Sequence, residues 1–176
     1  AAPDGLILVD QHAAHERILY ERLRDEMERT GEGAAQGLLW EDVVEVEPGH
    51  GKVLDRLRGI LERVGFVVEP FGGGTWRIRQ IPPWLEPGRA RTLLHDLIGA
   101  EGHEGWGAEA EGLRERLLAR MACHGAVKGS CAVTPTEAVA LLSRMRETSA
   151  RGLCPHGRPT LVEIRLAEIR RRFSRT

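Results

Sequence analysis

Leu6-Ile7-Leu8-Val9-Asp10-Gln11-His12-Ala13-Ala14-His15-Glu16 is the stretch that decides the fold. Four consecutive apolar residues suit a buried strand. Asp10 then opens a helix, because its short carboxylate accepts the N–H groups that a helix start leaves free. His12, Glu16, Leu19, Leu23 and Met27 recur at helical spacing, so the strand passes straight into an amphipathic helix predicted to stop at Gly31. The lower part of that stripe is apolar and belongs in a core. The upper part brings an imidazole and a carboxylate to the same interior side. A buried carboxylate is costly unless something compensates its charge, and a metal ion would do so.

Working outward, the chain of 176 residues is long enough for one ordinary domain or two small ones. Hydrophobic residues make up 41% and charged residues 29%, the balance of a packed soluble domain. The formal net charge of -1 excludes a global basic field, though not a local basic face. Cys123, Cys131 and Cys154 are odd in number and lack framework spacing, which points to an intracellular chain with thiols free for metal. No apolar run is long enough to span a bilayer, and no signal peptide is visible. Leu6–Val9 reads as the second arm of a hairpin whose first arm is absent, and the chain as a fragment of a larger protein.

Val43 to Glu47 alternates as a strand, and a helix with Val53, Leu57, Ile60, Leu61 and Val64 ends at Gly65. Phe66–Val68 and Trp76–Arg79 flank the Gly72-Gly73-Gly74 turn as a hairpin, and Ala90 to Ile98 is a short helix. Gly99 to Gly112, with Trp106, reads as a linker region. Leu113 to Val127 is helical, and Thr134-Pro135-Thr136-Glu137 has capping-box spacing with proline at the first helical position. Thr160 to Leu166 alternates as a strand before a short basic helix from Ala167 to Arg175. The fold class expected is α/β (α+β) in two lobes. Residues 1–37 and 108–176 form an outer lobe, a β-α-β-β-α lobe at 40–100 is inserted into it, and 101–107 is the linker.

Two distant runs join the first: Ala122-Cys123-His124-Gly125-Ala126-Val127-Lys128 and Cys154-Pro155-His156-Gly157-Arg158-Pro159. His12 and Glu16 are one helical turn apart and can hold one ion or bridge two. Cys154 and His156 flank a proline that stiffens their loop. Cys123 is a further candidate ligand, or a small core residue. Thiolate and imidazole favour zinc, while carboxylates add affinity for manganese or magnesium. Read alone, Asp10 is a plain cap and His12 a partly buried histidine. His15 and His124 sit off the faces of their neighbours, and Cys131 reads as core. No second histidine follows in the spacing a zincin needs.

Asp10, Gln11, His12, Ala13, Glu16 and Glu21 match every fixed position of the DQHA-x2-E-x4-E motif, so the run resembles the endonuclease motif of the MutL family of DNA mismatch repair proteins. The other two runs resemble that family's ACxxAVK-like and CPHGRP motifs, in the same order, and Phe173-Ser174-Arg175 its terminal Phe-x-Arg. The resemblance covers the whole chain as the family's C-terminal dimerisation and nuclease region, without its N-terminal ATPase. It implies metal-dependent nicking of DNA, with Asp10 and Glu16 placing the metal or the water and His12, Glu16, Cys123, Cys154 and His156 as ligands. Glu21 lies half a turn away and supports the site. Lys128 and Arg158 would face the phosphate, and Arg170 and Arg172 belong to a basic patch that is either solvated surface or a DNA-backbone contact.

The cofactors implied are a tight zinc and a catalytic manganese or magnesium, with ATP acting only through the absent region. The partners implied are a second copy of the chain, DNA and the mismatch-recognition protein MutS, in a cytoplasmic, nucleoid-associated bacterial setting with no membrane. Gln36, Leu38 and Leu39 fit the start of the family's sliding-clamp motif, but Glu41 stands where its proline would be, and this stretch is alternatively the start of the inserted lobe's core. The rival reading is a non-catalytic dimerisation module with a structural zinc. A metal sensor or transcriptional regulator is disfavoured, since no helix-turn-helix is evident.

Overall fold

The computed structural model describes residues 4–30, 34–47, 49–104, 110–126, 132–150 and 152–173. Gly31, Trp106, Lys128, Cys131 and Arg175 lie outside them. The described residues form a mixed α/β fold of six helices and two antiparallel sheets. The chain divides into two compact units, Ala1–Glu21 with Ala126–Thr176, and Arg22–Gly125.

In the first unit β1 (Gly5–Val9) passes through Asp10 into α1 (Gln11–Thr30). Asp10 caps the helix: its Oδ1 accepts from the backbone N–H of Ala13 at 3.0 Å. The partner of β1 is β5 (Leu161–Arg165), in register from Gly5 opposite Arg165 to Val9 opposite Leu161. Among the described residues β5, more than 150 positions downstream, is the strand that pairs with β1. After β5 comes α6 (Leu166–Arg172).

The fifth helix, α5 (Pro135–Glu147), begins with the anticipated capping box. Thr134 accepts from the Glu137 N–H, and the Glu137 carboxylate accepts from the Thr134 N–H at 2.8 Å. Its Leu141 and Met145 pack on Ala14, with Val9 and Ile18 beside them, and these form the small core of this unit.

The second unit carries the sheet β2-β4-β3 (Gln36–Glu45, Thr75–Ile81, Val67–Gly72). Helices α2 (His50–Arg63) and α3 (Pro87–Glu104) pack on it, and α4 (Ala110–Gly125) packs on α3. Leu54, Leu57, Leu61, Phe66, Ile78, Ile81, Leu93 and Leu94 are its fully buried centre. Helix α2 stops where sequence places the stop. Gly65 has φ +80°, and a Cβ there would lie 2.1 Å from the Ala34 carbonyl oxygen.

Positions 22–37 and 108–125 group with the inner unit, because α4 buries Leu113, Leu117, Leu118 and Met121 there. Positions 101–104 are helical where a linker was expected. The buried row of Leu93, Leu94, Leu97, Ile98 and Ala100 carries the helix past Gly99, outweighing a glycine penalty of about 1 kcal/mol.

Candidate metal centre

The site is built on the first turns of α1. Capping at Asp10 sets the helix phase, which puts His12 and Glu16 on one face, and His12 Nε2 lies 3.2 Å from Glu16 Oε1. Glu16 is 1% exposed, so its carboxyl group is held almost out of water. Its other oxygen, Oε2, faces His156 Nδ1 at 3.5 Å. Cys154, also 1% exposed and a free thiol, completes a group in which one donor atom each from Glu16, Cys154 and His156 lies within 4.8 Å of the others.

Donors on one tetrahedral ion stand about 3.3–3.8 Å apart, so a shift of about 1 Å would bring these three onto a shared ion. The residues therefore fit a metal by chemistry and by proximity. One thiolate, one imidazole and one carboxylate suit zinc, and the carboxylate suits a harder ion as well.

The loop bearing Cys154 and His156 is a closed turn. Cys154 N–H donates to the Arg158 carbonyl at 2.8 Å and Gly157 N–H to the Cys154 carbonyl at 2.9 Å. Gly157 has φ +78°, a conformation open to glycine and strained for most other residues. Leu153 and Pro159 pair across the base of the loop. Thr160, fully buried, accepts from the Asp10 N–H at 2.9 Å and ties that base to the start of α1.

The other candidate residues are placed as follows. Asp10 is exposed, with one carboxylate oxygen engaged in the cap. The Arg158 side chain is exposed on the loop. Arg170 is exposed on α6, and Arg172 pairs with Glu168 at 2.9 Å. Cys123 is half-buried on α4, in the second unit.

Gln36 and Leu38 stand on the edge strand β2, in a stretch where its register against β4 slips between Gly37 and Asp42. Of Leu39 only the backbone is described. His15 lines a cleft of about 250 Å³ with Glu137 and Arg144. Burial pushes its pKa down, and Arg144 and His12 push the same way. His124 Nε2 lies 3.3 Å from Asp96.

Glu21 accepts from the Ser149 N–H (2.8 Å), the Ser149 hydroxyl (2.9 Å) and the Ala150 N–H (3.2 Å). Arg17, only 9% exposed, has no part in the motifs read from sequence, yet its Nε donates to the Leu153 carbonyl at 2.6 Å. Its one visible sequence signal is the four-residue spacing to Glu21, whose Oε1 lies 3.7 Å from Arg17 Nη1.

Burial pushes the Glu21 carboxyl pKa up, but the donors from Ser149 and Ala150 and the Arg17 charge outweigh it, leaving the pKa below the ordinary glutamate value. The stabilisation of a depressed carboxyl is complete above its unfolded-state pKa and is lost as pH falls through the folded one. Glu21→Gln is expected to cost roughly 1–3 kcal/mol at neutral pH, by leaving buried donors poorly matched. The gap to wild type should close in acid, below the ordinary carboxylate range. Urea unfolding at about pH 7 and about pH 3 measures it; a gap that stays constant between them would show that the carboxylate charge is not what matters.

Residues 1–132 match the MutL C terminal dimerisation domain. The DNA mismatch repair protein MutL of Nitrobacter hamburgensis is 46% identical over 176 residues, which is 98% of this chain and 28% of that protein. The proteins of the same name from Phenylobacterium zucineum and Geobacter sp. (strain M21) are 42% and 38% identical over 98% and 97% of the chain. The chain spans about a quarter of the length of these relatives (28% and 26% for the latter two).

Proposed function

The chain belongs to the MutL C-terminal dimerisation family, and from that premise we propose that it is the homodimerising, metal-dependent DNA-nicking region of a mismatch repair protein. The observation that carries this reading is the buried Glu16 carboxylate between His12 and His156, with the Cys154 thiol beside it. A dimerisation surface alone has no use for a buried carboxylate aimed at two imidazoles and a thiol.

Glu16, Cys154 and His156 would hold one ion, with His12 on the other oxygen of Glu16. Cys123 is proposed from the sequence as a further ligand. Zinc suits the thiolate-bearing set, and manganese or magnesium the carboxylates. When bound, the catalytic ion supplies a water of lowered pKa and neutralises charge on the phosphate. Asp10, exposed beside the cap, is proposed to orient that water, and Arg158 and Lys128 to meet the phosphodiester.

Charge supports placing DNA on the first unit, which has eleven basic against eight acidic residues, whereas the second has fourteen against eighteen. Arg170 and Arg172 on the exposed α6 would contact the backbone without reading bases. The exposed apolar side chains of Leu6, Ile7 and Leu8 on β1 and Leu161 and Val162 on β5 support a second copy of the chain as partner of this unit. MutS and a sliding clamp, the latter at Gln36, Leu38 and Leu39, are proposed partners of the whole protein, as is ATP through another region. No described helix is long and apolar enough to cross a membrane. A cytoplasmic, nucleoid-associated location is proposed with the repair role.

The second reading is a dimerisation module with a structural zinc. It is favoured by the engagement of one Asp10 oxygen in the helix cap. Asn caps a helix as well as Asp, so Asp10→Asn removes the charge and spares the fold. Joined to a relative's N-terminal region, wild type with manganese should relax supercoiled plasmid, and Asp10→Asn should lose at least about a hundredfold of that rate, the scale of a lost charged group at a reacting centre. Zinc bound, dimer intact and no nicking by wild type would favour the structural module.

A further inference from the structure

The loop that carries Cys154 and His156 meets α1 at two points. At one leg the Thr160 carbonyl accepts from the Asp10 N–H. At the other, Arg17 Nε donates to the Leu153 carbonyl at 2.6 Å, one residue before Cys154. The guanidinium doing this is almost fully buried, and a buried cation needs partners. It has Glu21 Oε1 at 3.7 Å and lies 5.4 Å from the centre of the Tyr20 ring. Glu21 in turn grips Ser149 and Ala150, and the Ala150 carbonyl accepts from the Leu153 N–H at 3.3 Å. The segment running into Cys154 is thus held on both its N–H and carbonyl sides through one Arg-Glu pair on α1.

We propose that Arg17 is the positioning residue of the metal centre: it fixes the Leu153–Cys154 peptide against α1, so that the Cys154 thiol and the His156 ring stand opposite Glu16. This rests on the reading of Glu16, Cys154 and His156 as metal ligands. Groups that orient ligands typically tune metal affinity by about 10–100-fold. The task demands arginine. Its planar fork directs Nε at one acceptor and Nη1 at another, whereas a lysine ammonium offers charge without that geometry. Arg17→Lys therefore keeps a cation beside Glu21 and removes the aimed bond to Leu153.

The test uses the 176-residue chain, with Co(II) and Zn(II) as probes. Wild type should bind Co(II) with a thiolate-to-metal charge-transfer band, and Cys154→Ser should lose the part of that band that Cys154 contributes. Arg17→Lys should bind both ions at least about tenfold more weakly by chelator competition, with the band weakened or shifted. Met145→Ala, which thins the core beside Ala14 and Leu141, is the control for general loosening. It should lower the unfolding temperature and keep wild-type affinity and spectrum.

If Arg17→Lys does not fold, the doubly neutral Arg17→Met/Glu21→Gln replaces it. That variant leaves no unpaired buried charge, and the same affinity loss is expected. Wild-type affinity and an unchanged band in the folded Arg17 variant, or an equal affinity loss in Met145→Ala, would overturn the proposal. A wild type that binds neither ion would overturn the metal reading itself, and this one with it.

Discussion

Glu16→Gln is expected to abolish metal binding by the chain while leaving it folded. Glu16 is the residue that both imidazoles face, His12 at 3.2 Å and His156 at 3.5 Å, and it is 1% exposed. Removing its charge takes the only carboxylate out of the Glu16, Cys154, His156 set. Without metal, the wild-type chain buries that charge at a cost that the neutral amide avoids. The amide also gives up the pairs to His12 and His156, so the metal-free variant should stay folded and unfold near the wild-type temperature.

With metal the two chains should part. A ligand that binds only the folded state stabilises by RT ln(1 + [L]/Kd), about 2.7 kcal/mol at a hundredfold excess over Kd. Wild type should gain that increment with zinc, and Glu16→Gln should gain little or none. Thermal unfolding of both chains, with and without zinc, measures it. An equal zinc-induced shift in the two would remove Glu16 from the ligand set, and with it the observation on which the nuclease reading stands.

Gly65→Ala is expected to lose about 2–5 kcal/mol. Two independent terms add. The left-handed backbone at φ +80° costs a residue with a Cβ about 1–2 kcal/mol. The new Cβ would lie 2.1 Å from the Ala34 carbonyl oxygen, which is backbone and cannot swing aside. Relieving such overpacking typically costs about 1–3 kcal/mol more. Gly157→Ala is the internal comparison, because it shares the positive φ of +78° but nothing lies within 4 Å of its Cβ position. It should show only the backbone term. Urea midpoints decide the matter, and equal losses at the two glycines would mean that the Ala34 approach contributes nothing.

These two positions also show how far sequence reaches. Gly65 as the end of α2 was legible, since a glycine after an apolar periodic run is a local signal. So were the Asp10 cap, the Thr134–Glu137 capping box and the shared face of His12 and Glu16. Each depends on partners three or four residues away, and helix geometry fixes those relations wherever the chain folds. The β-α-β-β-α order of the inner unit was legible for the same reason, through periods of 2 and 3.6 bounded by glycine and proline. Less legible was the length of α3, where buried leucines overrode the glycines that had suggested a linker.

By itself, then, the sequence determined which local elements form, where they are capped, and which residue types could share a metal. Tertiary structure alone decided that β5 pairs with β1, that α4 packs with the inner unit, and that Ala34 closes over Gly65. The motifs had put Glu16, Cys154 and His156 in one ligand set, and only the tertiary structure put Arg17 and Glu21 on the approach to the Cys154 loop. The physical reason is range. A cap or a periodic face is scored by bonds within one helical turn. Closing a loop of well over a hundred residues costs entropy that grows only slowly with its length, so many distant pairings compete on nearly equal terms. Burial and hydrogen bonding summed over the whole unit select among them, and no short window of sequence contains that sum.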